Sequence, residues 1–445
     1  MGGNGNGNGN GKRLLRRVVG MGYWVQGLRC LPWMGVGFFL KDGLRVEPST
    51  LQLLLNSANL PMVAKPLYGV VSDSFYISGQ HRLPYIALGA FLQAVSWLAI
   101  AILASQSDIS ITSITIYLLL SNLGASIAEV ANDAIVAESS KQQHSASSQR
   151  SSSSELQSFV WMASSAGGVL GNLLGGLIID RVSPQKLFLL FGLVASLQFF
   201  LTIAVGESSL NLPKSSSSPS NVGFRKQLSR LRLALEDPSI THSLTWFAAS
   251  YAVIPTLAGT MFFYQTQHLK IDPWVLGMSK VMGQVAMLAW SVVFDRWLKQ
   301  VAPGRVIAGV QGAMALLMVS DALFVKGLYT SVGVADWLYV VLVSGVLEAM
   351  FFVKILPFSL LMARVCPAGC EGSLMALMGS AIALALILSG YLGVALAAAF
   401  VGDDFSGFPR ALLIQAACTL LPLYWSPHSI PDPDDDRRQI SSKEE

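Results

Sequence analysis

The feature that most restricts this chain is a series of apolar segments, each long enough to cross a lipid bilayer. A spanning helix needs about 20 mostly apolar residues, and about twelve such segments occur. The first six cover roughly 19–40, 50–72, 83–105, 112–137, 156–179 and 186–206. The second six cover roughly 241–267, 274–297, 305–326, 335–363, 372–400 and 408–426. Only 13% of the 445 residues are charged, against about 25% in soluble domains. That leaves too little polar surface for a soluble enzyme or a disordered chain. The net charge of +4 is too small for a nucleic-acid partner. The sequence therefore predicts an all-α membrane protein of about 12 transmembrane helices.

Basic residues in the loops set the orientation, because lysine and arginine accumulate on the cytoplasmic side. With the N-terminus inside, 19 of the 30 basic residues are cytoplasmic and 7 lie opposite. Four remain within spans: Arg29, Lys65, Lys280 and Lys354. Both termini are thus expected in the cytoplasm. Lys12 to Arg17 ahead of an apolar run resembles a secretory signal. Arg29 interrupts that run and no small-residue cleavage site follows, so a first membrane helix is expected instead. No long Ser/Arg-rich transit segment precedes it, so a plastid address is not visible and the membrane is left open.

The longest hydrophilic interruption is 207–240, with the serine run Ser215 to Ser218 and basic residues from Arg225 to Arg232. It divides the chain into a flexible N-terminus (1–18), six helices (19–206), a linker (207–240), six more helices (241–426) and an acidic tail (427–445). The linker's Arg225–Arg232 part suits an amphipathic interfacial helix. The serine-rich stretch 139–154 reads as a loop. Cys30, Cys366, Cys370 and Cys418 sit in or beside apolar stretches with no histidine cluster, so neither metal nor cofactor is expected. Five scattered histidines and the lack of a Gly-x-x-x-x-Gly-Lys-Ser/Thr loop argue against a membrane-embedded enzyme or an ATPase. No ring of like residues or filter loop suggests a channel.

The two halves repeat one pattern. Gly69-Val70-Val71-Ser72-Asp73 is followed by Arg82, and Ser291-Val292-Val293-Phe294-Asp295-Arg296 by Arg305. Asp73 and Asp295 stand 222 residues apart, half the chain. Both fall between the second and third helices of their half. Such repeats mark secondary transporters built from pseudo-symmetric bundles.

Gly69, Asp73 and Arg82 resemble the loop signature of the major facilitator superfamily. Other blocks are similar to its folate–biopterin transporter branch, and to plant members most. They include Gln26-Gly27, Phe38-Phe39-Leu40-Lys41-Asp42, Lys65-Pro66-Leu67-Tyr68-Gly69, Arg82 with Pro84-Tyr85, Asp133-Ala134 with Glu138, and Cys366-Pro367 with Glu371-Gly372. The resemblance implies two pseudo-symmetric six-helix bundles, with helices 1, 4, 7 and 10 lining a central cavity. It implies secondary transport of folates or pterins by alternating access, by a monomer. Another organic anion or a sugar is the alternative cargo. It also implies that Gly69, Asp73 and Arg82, with Asp295 and Arg296, gate the cytoplasmic side by latching one bundle to the other.

Charges inside a bilayer cost about 2.5–3.5 kcal/mol each by insertion scales and mark cavities or partners. Arg29 lies near the middle of helix 1 and is the expected cation for a substrate carboxylate. Glu129 and Asp133, four apart on helix 4, share a face and are the expected proton carriers, Asp133 also as part of the gate. Lys65, Glu348 and Lys354 complete the expected substrate contacts. Glu348 and Lys354 are six apart, so they do not share a helix face and each needs its own partner. Arg29 with Glu348 is one pairing to consider. Trp24, Trp33, Trp97, Trp161 and Trp246 read as packing or interfacial aromatics, with a pterin-stacking role left open for one of them or for Phe38 or Phe262.

Overall fold

A computed structural model describes residues 5–106, 109–144, 150–210, 238–298, 301–359, 371–402 and 404–425, with single positions 229, 232 and 236. The Arg225–Arg232 segment, Cys366, Cys370 and the acidic tail lie outside these or are described at isolated positions only. Among the described residues the regular structure is helical apart from one β-bridge, Ile77 with Gln80. We number the helices in chain order. Helix α1 is Gly5–Leu28, continued by Cys30–Phe38 and a π-turn at Phe39–Gly43; α2 is Pro48–Ser57, then Leu60–Ala64 and Lys65–Ser74. Next come α3 (Leu83–Leu103), α4 (Ile111–His144), α5 (Arg150–Ile178) and α6 (Pro184–Ala204). In the second half, α7 is Pro238–Ala252 and Ala258–Phe263 with a π-turn at Tyr264–His268. It is followed by α8 (Pro273–Val293), α9 (Pro303–Val325) and α10 (Asp336–Tyr339, Val340–Ser344 and Gly345–Val353). The last two are α11 (Glu371–Phe400) and α12 (Phe408–Trp425).

Among the described residues, seven helices are long and apolar enough to cross a membrane as continuous rods. Several other expected spans are broken, and proline explains the breaks. Pro32 lacks the N–H that the Leu28 carbonyl requires, and α1 loosens at Arg29. Pro61 lies in the tight 3-10 turn inside α2, and Pro66 follows at the start of its last segment. Pro255 sits in the gap that divides α7. Conversely, α2, α6, α7, α8 and α9 each open on a proline, where the missing N–H costs nothing. Helix α1 begins at Gly5, ahead of the apolar stretch and inside the Gly-Asn repeat of the segment expected to be flexible. Helix α4 runs on to His144 and α5 starts at Arg150, so much of the serine-rich loop is helical.

The chain forms two compact units, residues 1–47 with 57–230, and 48–56 with 231–445. In the first unit α3 packs along α4 and α6, and α1 along α5. Small residues allow these backbones to touch. A Cβ on Gly27 would stand 2.0 Å from the Ser164 carbonyl oxygen, and one on Gly167 2.2 Å from that of Trp24. Trp97 is fully buried among Trp33, Phe188 and Phe191 at centroid distances of 5.7–6.2 Å. In the second unit Phe247 stacks on Phe358 at 3.6 Å, with Tyr251 edge-on to Phe247. There Gln52 donates to the carbonyls of Thr256 (2.6 Å) and Gly390 (2.8 Å) and accepts from the Gly259 N–H (2.8 Å). These bonds satisfy backbone groups exposed by the α7 break and explain why 48–56 clusters with the second unit.

The internal repeat extends beyond the aspartate motif. Helix α1 ends in a π-turn closed by Leu44 N–H to Phe39 O (3.1 Å) and Val46 N–H to Leu40 O (2.9 Å). Helix α7 ends the same way, with Leu269 N–H to Tyr264 O (3.0 Å) and Ile271 N–H to Gln265 O (2.9 Å). A left-handed basic residue follows in each case, Arg45 at φ 51° and Lys270 at φ 53°. The next helix then opens on Pro48 or Pro273.

Candidate functional site

The polar centre of the first unit is built on α4. Asn122, Ser126, Glu129 and Asp133 recur every three or four residues and so share one face. The loosened turn of α1 presents Arg29 to that face, and the lower part of α2 presents Lys65. Arg29 donates through Nη1 to Glu129 Oε1 at 3.0 Å and through Nη2 to Asn122 Oδ1 at 2.5 Å. Lys65 Nζ donates to Glu129 Oε2 at 2.6 Å. Gln26 adds a further hydrogen bond to Glu129. Asn122 in turn donates to the Ala58 carbonyl at 2.6 Å, anchoring this cluster to the break in α2.

The triad sits in a half-closed setting, with side-chain exposure of 13% for Arg29, 10% for Glu129 and 26% for Lys65. Two cations share one carboxylate, so the triad carries a formal charge of +1 at a depth where charge is scarce. Arg29 Nε is buried and has no hydrogen-bond partner. Such a cluster holds itself together and still attracts an anion. One turn further along α4, Asp133 accepts a hydrogen bond from Tyr23 and is exposed.

Arg29 is therefore bonded to Glu129 within its own unit, and the pairing considered with Glu348 is not the one observed. Glu348 on α10 instead pairs with Lys280 on α8. Both are about half exposed, at 50% and 42%. Lys354 is fully buried, with Nζ 3.1 Å from the Ser250 carbonyl and 3.9 Å from the Tyr251 ring centroid. Its ammonium acts on α7, inside the packed core. Trp97 and Trp246 are buried and Trp161 is exposed.

The loop between α2 and α3 carries a second cluster. Arg82 binds Asp73 at 2.5 Å and donates to Ser72 Oγ at 2.7 Å. The Glu207 carboxylate, just after α6, accepts from the backbone N–H groups of His81 (2.6 Å) and Arg82 (3.1 Å), capping α3. Ser78 and Gly79 at φ 53° and 75° turn the loop tightly between Ile77 and Gln80. Asp73 and Arg82 thus hold the loop together within the first unit. Gly69 is uncrowded, and a Cβ added there would meet Val130 alone, at 3.5 Å. In the second unit Arg296 is exposed on the π-turn Phe294–Leu298; the side chain of Asp295 lies outside those described.

Asn122, Tyr23 and Glu207 join these clusters without being among the residues expected from the sequence. Asn122 has a legible signal, seven residues before Glu129 on the same helix face. Tyr23 and Glu207 have none, because their partners are far away in the chain.

Comparison with known proteins agrees with this architecture. The BT1 family model matches residues 26–444. "Probable folate-biopterin transporter 7" of Arabidopsis thaliana is 59% identical over 412 residues, spanning 92% of this chain and 91% of that protein. The "Folate-biopterin transporter" of Synechocystis is 26% identical, spanning 90% of this chain and 78% of that protein. Among solved structures, a D-xylose-proton symporter superposes with TM-score 0.69 at 16% identity, covering 94% of this chain and 98% of the other. The nucleoside transporter NupG superposes with TM-score 0.67 at 13% identity, covering 93% and 98%. These two show the fold, which is that of the major facilitator carriers. The chain is a multi-pass, all-helical membrane protein and belongs to the BT1 family.

Proposed function

We propose that this chain is a secondary carrier that moves folates or related pterins across a membrane by alternating access. The observation that supports this most directly is the Arg29–Glu129–Lys65 cluster. Folates carry an anionic glutamate tail, and a guanidinium fork suits a carboxylate. The naming of the relatives as folate-biopterin transporters supports the same cargo.

The cluster also suggests how a proton couples to the anion. An incoming carboxylate competes with Glu129 for Arg29 and Lys65. A proton on Glu129 removes that competition and raises the charge of the triad from +1 to +2. Proton and anion therefore favour each other's binding, a linkage that works in both directions. Asp133, one turn along α4 and bonded to Tyr23, is the second proposed carrier of that proton. Glu348 and Lys354 stay proposed contacts of the second unit, and Gly69, Asp73, Arg82, Asp295 and Arg296 proposed gating residues. The bias of 19 basic residues to 7 supports cytoplasmic termini.

The test is uptake of labelled folic acid, 5-formyltetrahydrofolate and biopterin into cells that lack their own carriers, with and without a protonophore. Accumulation of at least one compound, accelerated by preloaded unlabelled substrate and suppressed by the protonophore, is the expected result. Uptake of none of the three removes the cargo; accumulation that survives the protonophore removes the coupling.

A further inference from the structure

The second unit holds a buried carboxyl group that the anion cluster does not use. Asp321 lies on α9, one turn before its end, and is 4% exposed. Its hydrogen bond comes from a neutral group, the Tyr339 hydroxyl, at 3.0 Å. Tyr339 lies at the start of α10 and is itself buried, its ring stacked on Phe324 at 4.1 Å. The Tyr339 oxygen is also 2.8 Å from Ser320 Oγ, and Ser320 Oγ is 2.8 Å from the Tyr329 hydroxyl. Tyr329 sits on the short helix Leu328–Ser331 between α9 and α10 and is part-exposed. Three hydroxyls thus form an unbroken file from the α9–α10 loop to a buried carboxyl group.

Counting protons gives the file a direction. Each hydroxyl has one proton to donate. Tyr339 spends its proton on Asp321, so Ser320 must donate to Tyr339, and Tyr329 to Ser320. Every donor then points toward the carboxylate. When Asp321 is protonated, its own O–H can donate to Tyr339, and the whole file reverses.

Among the described residues, the charged and titratable groups around Asp321 leave it uncompensated. Lys326, at the end of α9, is exposed. Asp336, at the start of α10, accepts from Thr330 at 2.9 Å. Glu348, further along α10, pairs with Lys280, and Lys354 is held against α7. Arg410 on α12 is exposed and Cys418 is part-buried. On α7, Tyr264 donates to the Val325 carbonyl at 3.3 Å and stacks with His268 at 5.0 Å. Among the described residues none of these cations reaches Asp321. A buried carboxyl group without a cation favours its neutral form, and a hydroxyl file gives its proton a way in and out.

We propose that Asp321 is a proton-exchange site, loaded and unloaded from the α9–α10 loop through Tyr329, Ser320 and Tyr339. Its place in the carrier, which rests on the transport function proposed above, is that of a second coupling carboxyl group. In the transfer, Tyr339 gives its proton to the Asp321 carboxylate and takes that of Ser320. Ser320 takes that of Tyr329, and Tyr329 regains one from solvent. One O–H bond breaks and one forms at each hydroxyl, and the net change is one proton on Asp321.

The primary test needs no substrate. The full chain in lipid nanodiscs is titrated from about pH 5 to about pH 9 and followed by infrared difference spectroscopy in the carboxylic-acid carbonyl region. The wild type is expected to show a titrating band that Asp321→Asn lacks and Tyr339→Phe shifts. Superimposable wild-type and Asp321→Asn spectra overturn the proposal. Should Asp321→Asn not fold, Tyr339→Phe and Ser320→Ala decide, since an unmoved midpoint in both also overturns it. The coupling role is read separately by transport. Asp321→Asn should keep counterflow exchange and lose proton-driven accumulation by tenfold or more. Unchanged accumulation removes the coupling role, whereas absent counterflow in the wild type counts against the proposed cargo and leaves the infrared result standing.

Discussion

Replacing Arg29 by alanine separates a substrate-binding role from a structural one, because the neighbouring charges protect the fold. Removing one member of a buried ion pair usually costs about 3–5 kcal/mol, since the other is left uncompensated. Here Glu129 keeps Lys65 at 2.6 Å, so Arg29→Ala changes the cluster from +1 to a neutral pair. The remaining structural cost is the Asn122 oxygen that loses its 2.5 Å donor, about 1–3 kcal/mol. Asn122 still donates to the Ala58 carbonyl, which holds it in place. The variant should therefore reach the membrane at near wild-type levels. Anion binding should suffer far more. Truncating one side of a desolvated, hydrogen-bonded charge pair costs about 2–5 kcal/mol, or about 30-fold to several thousand-fold in apparent affinity at 1.4 kcal/mol per decade. Arg29→Lys keeps the charge but not the fork that reaches Glu129 and Asn122 together, so it should fall between. The assay is initial-rate uptake of the transported folate over a range of concentrations, normalised to surface-labelled protein. A KM for Arg29→Ala within about threefold of wild type would refute the reasoning and remove Arg29 from the site.

Two further outcomes follow from the packing and from the loop cluster. Gly167→Leu puts side-chain atoms where the Trp24 carbonyl stands 2.2 Å from a Cβ, so α1 and α5 must separate; surface expression should fall severalfold, while Gly309→Ala, with open space around it, should express normally. Asp73→Ala removes the carboxylate that binds the buried Arg82 guanidinium. It should slow transport turnover without raising KM, and an unchanged maximal rate at equal expression would take Asp73 out of the gate.

Arg29 and Glu129 are conspicuous in the sequence because charge is so scarce in apolar segments, and hydropathy alone places them on their helices. Their pairing is not legible there. It depends on the rotation of α1 about its axis, which Pro32 and the loosened turn at Arg29 decide. Pro61, Pro66 and Pro255 signal the breaks in α2 and α7, but nothing signals Gln52, which satisfies the α7 break from more than 200 residues away in the chain. Asp321 is hidden for a different reason. One turn from the end of an apolar segment, an aspartate reads as an interfacial residue. Only the fold shows Tyr339 and Phe324 closing over it.

The internal repeat bears on why the proposed anion site is placed in the first unit. Lys65 on α2 pairs with Glu129 on α4, and Lys280 on α8 pairs with Glu348 on α10. Helices α8 and α10 are the repeats of α2 and α4, so each half carries a neutral lysine–glutamate pair between corresponding helices, at offsets of 215 and 219 residues that set the two pairs at different turns from the 222 and 225 of the repeat itself. Such a pair offers an anion no net charge. What the first half adds is Arg29. The π-turns at Phe39–Gly43 and Tyr264–His268 align α1 with α7 at an offset of 225 residues, which matches Arg29 to Ile254. Ile254 is buried beside Pro255, in the broken stretch of α7, and carries no charge. The second half therefore has a lysine–glutamate pair but no cation at the Arg29 position; its buried Lys354 faces the Ser250 carbonyl and the Tyr251 ring instead. If the pair alone made the site, both halves would bind anions alike, and Arg29→Ala would leave both copies intact. The asymmetry at this one position supports placing the proposed carboxylate contact in the first unit.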